Sequence, residues 1–135
     1  MNGFLTRHPF DGLDVTVRRY IQYGNQVLLV QTSNSTSEEI LLIYSVLEEA
    51  KRALFWSDDC ASRFIEECNP YEFSIDLFKS LYMSHFRMNP IFDKININDV
   101  ISISAFDDPA YDDWDGAFYI VTSSKKYMLM WNYGT

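Results

Sequence analysis

Alternating apolar residues open the ordered pattern of the chain. Val15 and Val17, then Tyr20 to Tyr23, lead into Gly24-Asn25 and the run Val27-Leu28-Leu29-Val30. Two β-rich runs around a Gly-Asn pair predict a hairpin. The polar stretch Ser33 to Ser37 breaks that pattern, and a helix follows. Its start fits a capping box through Ser35 with Glu38, or Thr36 with Glu39. Ile40, Ile43, Leu47, Ala50 and Leu54 recur at helical spacing, with Glu48, Glu49, Lys51 and Arg52 on the other side. Ser57-Asp58-Asp59 caps a short second helix reaching Cys68. Asn69-Pro70-Tyr71-Glu72 then reads as a third helix start, with Asn as cap and Pro at the first helical position. That helix carries Phe73, Leu77, Phe78, Leu81, Tyr82 and His85 on a broad apolar face and ends near Met88-Asn89-Pro90.

The last third switches to strands. From Asp99 to Phe106 the chain alternates, with Val100, Ser102 and Ser104 on one face and Ile101, Ile103 and Ala105 on the other. Ala117 to Thr122 and Tyr127 to Asn132 make a second hairpin around Ser123-Ser124-Lys125-Lys126, whose charged pair keeps the tip solvated. The order ββαααβββ predicts an α+β fold, an antiparallel sheet of about five strands carrying three helices on one face. No linker or internal repeat divides the sequence, so a single domain over residues 1–135 is expected.

Between the first and second strands of this third lies the most distinctive segment. Asp107-Asp108-Pro109-Ala110-Tyr111-Asp112-Asp113-Trp114-Asp115-Gly116 holds five carboxylates, two large aromatics and no basic side chain. Carboxylates this close repel one another, so the segment gains from meeting a cation or a basic partner. Tyr111 and Trp114 offer such a partner rigid apolar area. Asp107, Asp108, Tyr111, Asp112, Asp113, Trp114 and Asp115 are therefore the expected partner-binding residues.

Charge over the whole chain points the same way. Nineteen acidic against eleven basic residues leave a net charge of −8. That balance disfavours direct nucleic-acid and anionic-membrane binding, which rely on Lys and Arg. It favours a basic protein partner and speeds encounter with one at low salt. Aromatics make up 16% of the chain, more than one small core needs, so some belong at the surface. Cys60 and Cys68 fall in one expected helix, where eight residues rise about 12 Å, too far for a disulfide. Reduced thiols and the lack of a signal or spanning segment predict a cytoplasmic protein.

Catalytic sets are not legible. Asp113-x-Asp115-Gly116 matches part of a calcium loop, but placing Gly116 at its sixth position puts Tyr111 first and Thr122 twelfth, where ligands are required. A looser cation site from Asp107, Asp108, Asp112 and Asp113 is the metal alternative. The spacing of two Cys and two His matches no zinc finger. His85 sits on an apolar helix face, the usual place of a packed histidine, and no nucleophile elbow, phosphate loop or zincin motif occurs. No cofactor, metal or catalytic residue is expected.

A small, acidic, motif-free α+β domain rich in surface aromatics resembles the immunity proteins of bacterial contact-dependent inhibition and related polymorphic toxin systems. The likeness is one of size, charge and style. It implies a tight one-to-one complex with a cognate toxin domain, often a nuclease, whose basic active-site groove the acidic segment would cover. Two alternatives belong to other classes. One is a small carboxylate-based enzyme, with or without a divalent cation; the other is an adaptor that docks peptides on a sheet edge.

Overall fold

The computed structural model describes residues 14–22, 25–52, 66, 69–106 and 116–133. Their elements are β1 (Val15–Gln22), β2 (Asn25–Ser33), α1 (Glu38–Arg52), β3 (Pro70–Glu72), α2 (Ile75–Phe86), β4 (Val100–Phe106), β5 (Gly116–Thr122) and β6 (Lys125–Tyr133). Short 3-10 turns at Phe92–Lys94 and Ile97–Asp99 join α2 to β4. The fold is α+β, with one open antiparallel sheet in the order β1-β2-β6-β5-β4-β3.

Both expected hairpins form. Gln22 pairs with Asn25, leaving Tyr23 and Gly24 between the strands. Val121 pairs with Lys126, and Ser123-Ser124 makes the second turn. Thr122 closes that turn by itself: its Oγ1 accepts from the Lys125 N–H and donates to the Lys125 carbonyl, both at 3.0 Å. Lys125 and Lys126 therefore begin β6 rather than sitting at a solvated tip. Lys126 is half-buried and its Nζ donates to the Thr36 carbonyl at 2.8 Å.

The sheet has six strands instead of five, and its described helices lie on opposite faces instead of one. Side chains alternate across a strand, and here both sets are buried. Leu28, Val30, Met128, Met130, Ala117 and Tyr119 meet Leu41, Leu42 and Val46 of α1. Their neighbours Val27, Leu29, Leu129, Trp131, Phe118 and Ile120 meet Phe78, Tyr82 and Phe86 of α2. Strands covered on both faces need continuous apolar runs rather than alternation. Val27-Leu28-Leu29-Val30 and Tyr127-Met128-Leu129-Met130-Trp131 are such runs.

The helices differ from the sequence expectation in detail. Ser37, not Ser35 or Thr36, caps α1: its Oγ accepts from the Ile40 N–H at 3.2 Å. The buried residues are Leu41, Leu42, Ile43, Ser45 and Val46; Ile43 is buried as the pattern expects, while Ile40 and Leu47 stay half-exposed. Ser45 is tolerated at 0% exposure because its hydroxyl donates to the Leu41 carbonyl at 2.7 Å. The expected middle helix falls outside the described residues except Glu66, which is helical and exposed.

Pro70 starts an edge strand, not a helix. Pro70 to Glu72 pair with Phe106 to Ser104, a position where a missing N–H costs nothing if it faces outward. Helix α2 starts later, with Ser74 as cap accepting from the Leu77 N–H at 3.2 Å and Asp76 in the first turn. Its buried stripe is Phe78, Tyr82 and Phe86, while Leu77 is 50% exposed. A bulge at Val100/Ser102 shifts the β4 register. It explains why Ile101 is turned out while Ile103 and Ala105 remain in the core.

Tyr82 ties α2 to the following turn. Its hydroxyl lies 3.0 Å from the Ile91 carbonyl and 2.6 Å from that of Phe92, with donation shared between them. Burial, assisted by the charge of Asp93, pushes the phenol well above its ordinary pKa. Burial also raises Tyr119, with help from Glu38, and Tyr127, where Arg18 opposes the shift. Unfolded tyrosine ionises near pH 10, so above that pH the unfolded chain binds fewer protons than the native one. The tyrosine contribution to stability is thus complete below about pH 10 and lost as pH rises beyond it. Urea midpoints measured across the alkaline range are expected to fall there. Tyr82→Phe should flatten that fall and cost about 1–2 kcal/mol at neutral pH, through the lost hydrogen bond.

Candidate partner-binding surface

The sheet register decides where the acidic segment attaches. β4 and β5 are paired neighbours, Ala105 facing Phe118, and residues 107–115 connect them. Asp107, Asp108, Tyr111, Asp112, Asp113, Trp114 and Asp115 lie outside the described residues, but both ends of their segment are fixed. Phe106 is buried in the core on the α1 side. Gly116 sits in a close contact that any added side chain would force to shift. A Cβ there would stand 2.6 Å from Cζ2 of Trp131 and 2.8 Å from two further indole carbons.

Trp131 is in turn held from three sides. It stacks on Phe118 at 5.0 Å, meets Phe86 edge-on at 5.2 Å and lies 6.0 Å from the His85 ring. His85 is exposed, outside the apolar stripe that the helical pattern assigned to it, with Phe86 and Trp131 as ring neighbours. Gly116, the first residue of β5, therefore lies against a buried aromatic cluster of Trp131, Phe118 and Phe86.

The other end of the sheet is closed by hydrogen bonds. Ser123 Oγ donates to Asp99 Oδ2 at 2.6 Å, and Asn34 Nδ2 donates to the Ser123 carbonyl at 2.7 Å. Together with Lys126 and Thr36 these bonds lock the β2–α1 connection to the β5–β6 turn. Of the remaining carboxylates, Glu38 is half-buried in the first turn of α1, and its Oε1 has no hydrogen-bond partner. Glu39 beside it is exposed. Cys60 and Cys68 lie outside the described residues, as do Phe55 and Trp56. Among the described residues no three His, Cys, Asp or Glu side chains come together as a metal site. No described helix is long and apolar enough to cross a membrane.

One surface feature was not legible in the sequence. A groove of about 400 Å³ runs beside β1, with Val17 to Tyr20 on one wall and Pro90, Ile91 and Lys94 on the other. Its second wall is built by the turn after α2, which the Tyr82 hydroxyl and local bonds at Asn89 hold in place.

No family model matches this sequence, and no curated protein matches it. Among solved structures, a crystal structure of citrus MAF1 aligns with 90% of this chain and 94% of that one, at 10% identity and a TM-score of 0.34. A likeness at that level carries no argument about fold or function.

Proposed function

We propose that the protein is a binding protein that neutralises a basic partner by covering it, as an immunity protein covers its cognate toxin domain. The observation that carries this reading is the concentration of charge: five carboxylates with Tyr111 and Trp114 in one strand connection of a chain with net charge −8. Its fixed ends at Phe106 and Gly116 support it, because a binding loop gains affinity when its frame is rigid. A nuclease is the partner type that such a surface suits best, since a phosphate-binding groove is lined by cations. A cytoplasmic setting, where a toxin's nucleic-acid targets lie, belongs to the same reading.

The test is capture from a lysate of the source cell at low salt, followed by elution with a salt step. One basic protein, held in one-to-one amount, is the expected result. Asp112→Asn, Asp113→Asn and Asp115→Asn combined should abolish its capture and slow association. Fully desolvated charge pairs at interfaces couple by about 1.5–7 kcal/mol. Glu39→Gln is the control, because its carboxylate is exposed on α1 and a rim charge contributes little. Equal retention by all variants, or an empty capture with the neighbouring gene co-expressed, overturns the proposal.

A further inference from the structure

We infer that the outer edge of β1, beyond which no described strand lies, is a second docking site, which takes an extended acidic peptide segment of a partner protein as an added strand. The groove beside β1 touches four consecutive residues, Val17 to Tyr20. Consecutive strand residues point to opposite faces. With the turn after α2 as its other wall, the groove lies where outermost β1 borders the α2 side of the sheet, next to the backbone groups that β2 does not pair. No described strand lies beyond β1 in the sheet order, and β1 is eight residues long. The opposite edge is a poor alternative: β3 has three residues and begins with Pro70, which has no N–H to donate.

The chemistry of the walls selects the occupant. Arg18, Arg19 and Lys94 line the groove, and none of its described lining residues is acidic. This concentrates three of the eleven basic residues of the chain in one place. Arg19 is engaged by α1: it bonds the Glu48 carbonyl and lies 3.6 Å from the Glu48 carboxylate. Arg18 makes a long bond of 3.4 Å to Gln31, which a carboxylate would replace with a stronger, charge-assisted one. Lys94 stands 3.8 Å from Asp93, an exposed pair of small worth. Arg18 shares its face of the strand with Tyr20, whose ring packs in the cluster around α2. An incoming strand would thus set every second side chain towards Arg18, Lys94 and Ile91. Carboxylates at alternate positions fit the two cations, and an apolar residue between them fits Ile91.

A second copy of this chain is the wrong occupant on charge. Centred twofold pairing of β1 with itself would set Arg18 of each copy against Arg19 of the other, and like charges directly opposite are destabilising. The docking site is also independent of the acidic segment, which joins β4 to β5, and β4 is four positions from β1 in the sheet order. Failure at one site therefore says nothing about the other.

The probe is a short alternating Val-Glu peptide, acetylated and amidated, titrated to millimolar concentration against the isotopically labelled protein. Amide shifts confined to β1 and to residues 90–94 are expected. Arg18→Glu with Lys94→Glu should weaken binding by about tenfold or more, given two lost charge pairs. N-methylation of the peptide backbone should abolish binding, because strand addition needs its N–H groups. Lys94 is exposed and Arg18 half-buried, and an unchanged urea midpoint verifies that the variant folds. Equal binding of a Val-Lys peptide, full binding by the N-methylated peptide, shifts elsewhere, or no shift at all overturns the inference. So does a concentration-dependent dimer in sedimentation that Arg18→Glu dissolves, which would assign the edge to a second copy.

Discussion

Trp131→Ala is expected to lower folding stability by about 3–5 kcal/mol, the usual cost of emptying a buried aromatic site. The site cannot collapse easily. Its indole is 5% exposed, flat against Phe118, edge-on to Phe86, and it also covers Gly116. These neighbours come from β5 and α2, so relaxation into the cavity would have to move a central strand or a helix. A urea titration should show a lower midpoint with an unchanged slope, the sign of lost stability in an otherwise intact fold. Gly116→Ala supplies the complementary test. In the native protein it forces a methyl group to 2.6 Å from the indole and should cost about 1–3 kcal/mol by overpacking. In the Trp131→Ala background the obstacle is gone and the same change should cost little. Contacting residues couple in this way; equal costs in both backgrounds would mean that the indole is not what keeps residue 116 a glycine. Either variant also loosens the C-terminal frame of the acidic segment. Both are therefore expected to weaken capture of a basic partner without touching a single carboxylate.

Local chemistry wrote most of the strands into the sequence. The β1–β2 and β5–β6 hairpins follow from β-rich runs around short polar turns, and the register confirms both. What escaped was whatever depends on packing between distant elements. Val27 to Val30 is apolar at every position, a pattern that specifies cover on both faces, yet a one-sided sheet was the simpler inference. Asn69-Pro70-Tyr71-Glu72 carries a good helix-start signature, but Ser74 with Asp76 offers another cap five residues after Asn69. Proline suits the first position of an edge strand as well as that of a helix, and pairing with β4 decides between them. On α1, Ser45 fills a core position that apolar spacing does not mark, because its own helix satisfies its hydroxyl. The acidic segment was legible as composition, and the structure adds which strands hold it. The β1 groove had no sequence signal, because its second wall comes from residues about seventy positions away.

Phe78→Ala should rank beside Trp131→Ala, costing about 3–5 kcal/mol. Phe78 is fully buried where α2 crosses the sheet, edge-on to Phe118 at 5.1 Å and 5.7 Å from Tyr82. Truncation removes the one fully buried contact in the first half of α2, leaving Ile75 as its partly buried neighbour while Leu77 faces solvent. The layered arrangement makes a further claim that a double-mutant cycle can read. Val46 on α1 is equally buried but belongs to the cluster on the opposite face, with the sheet between it and Phe78. Distant sites without shared partners add to within about 0.3–0.5 kcal/mol. Val46→Ala combined with Phe78→Ala should therefore lose the sum of the two separate losses. Phe78→Ala with Trp131→Ala should not, because both side chains pack on Phe118 and empty one continuous space. Had both helices shared a face, as an alternating sheet pattern implies, the first pair would couple like the second. Additivity in one cycle and coupling in the other is the energetic signature of a sheet packed on both sides.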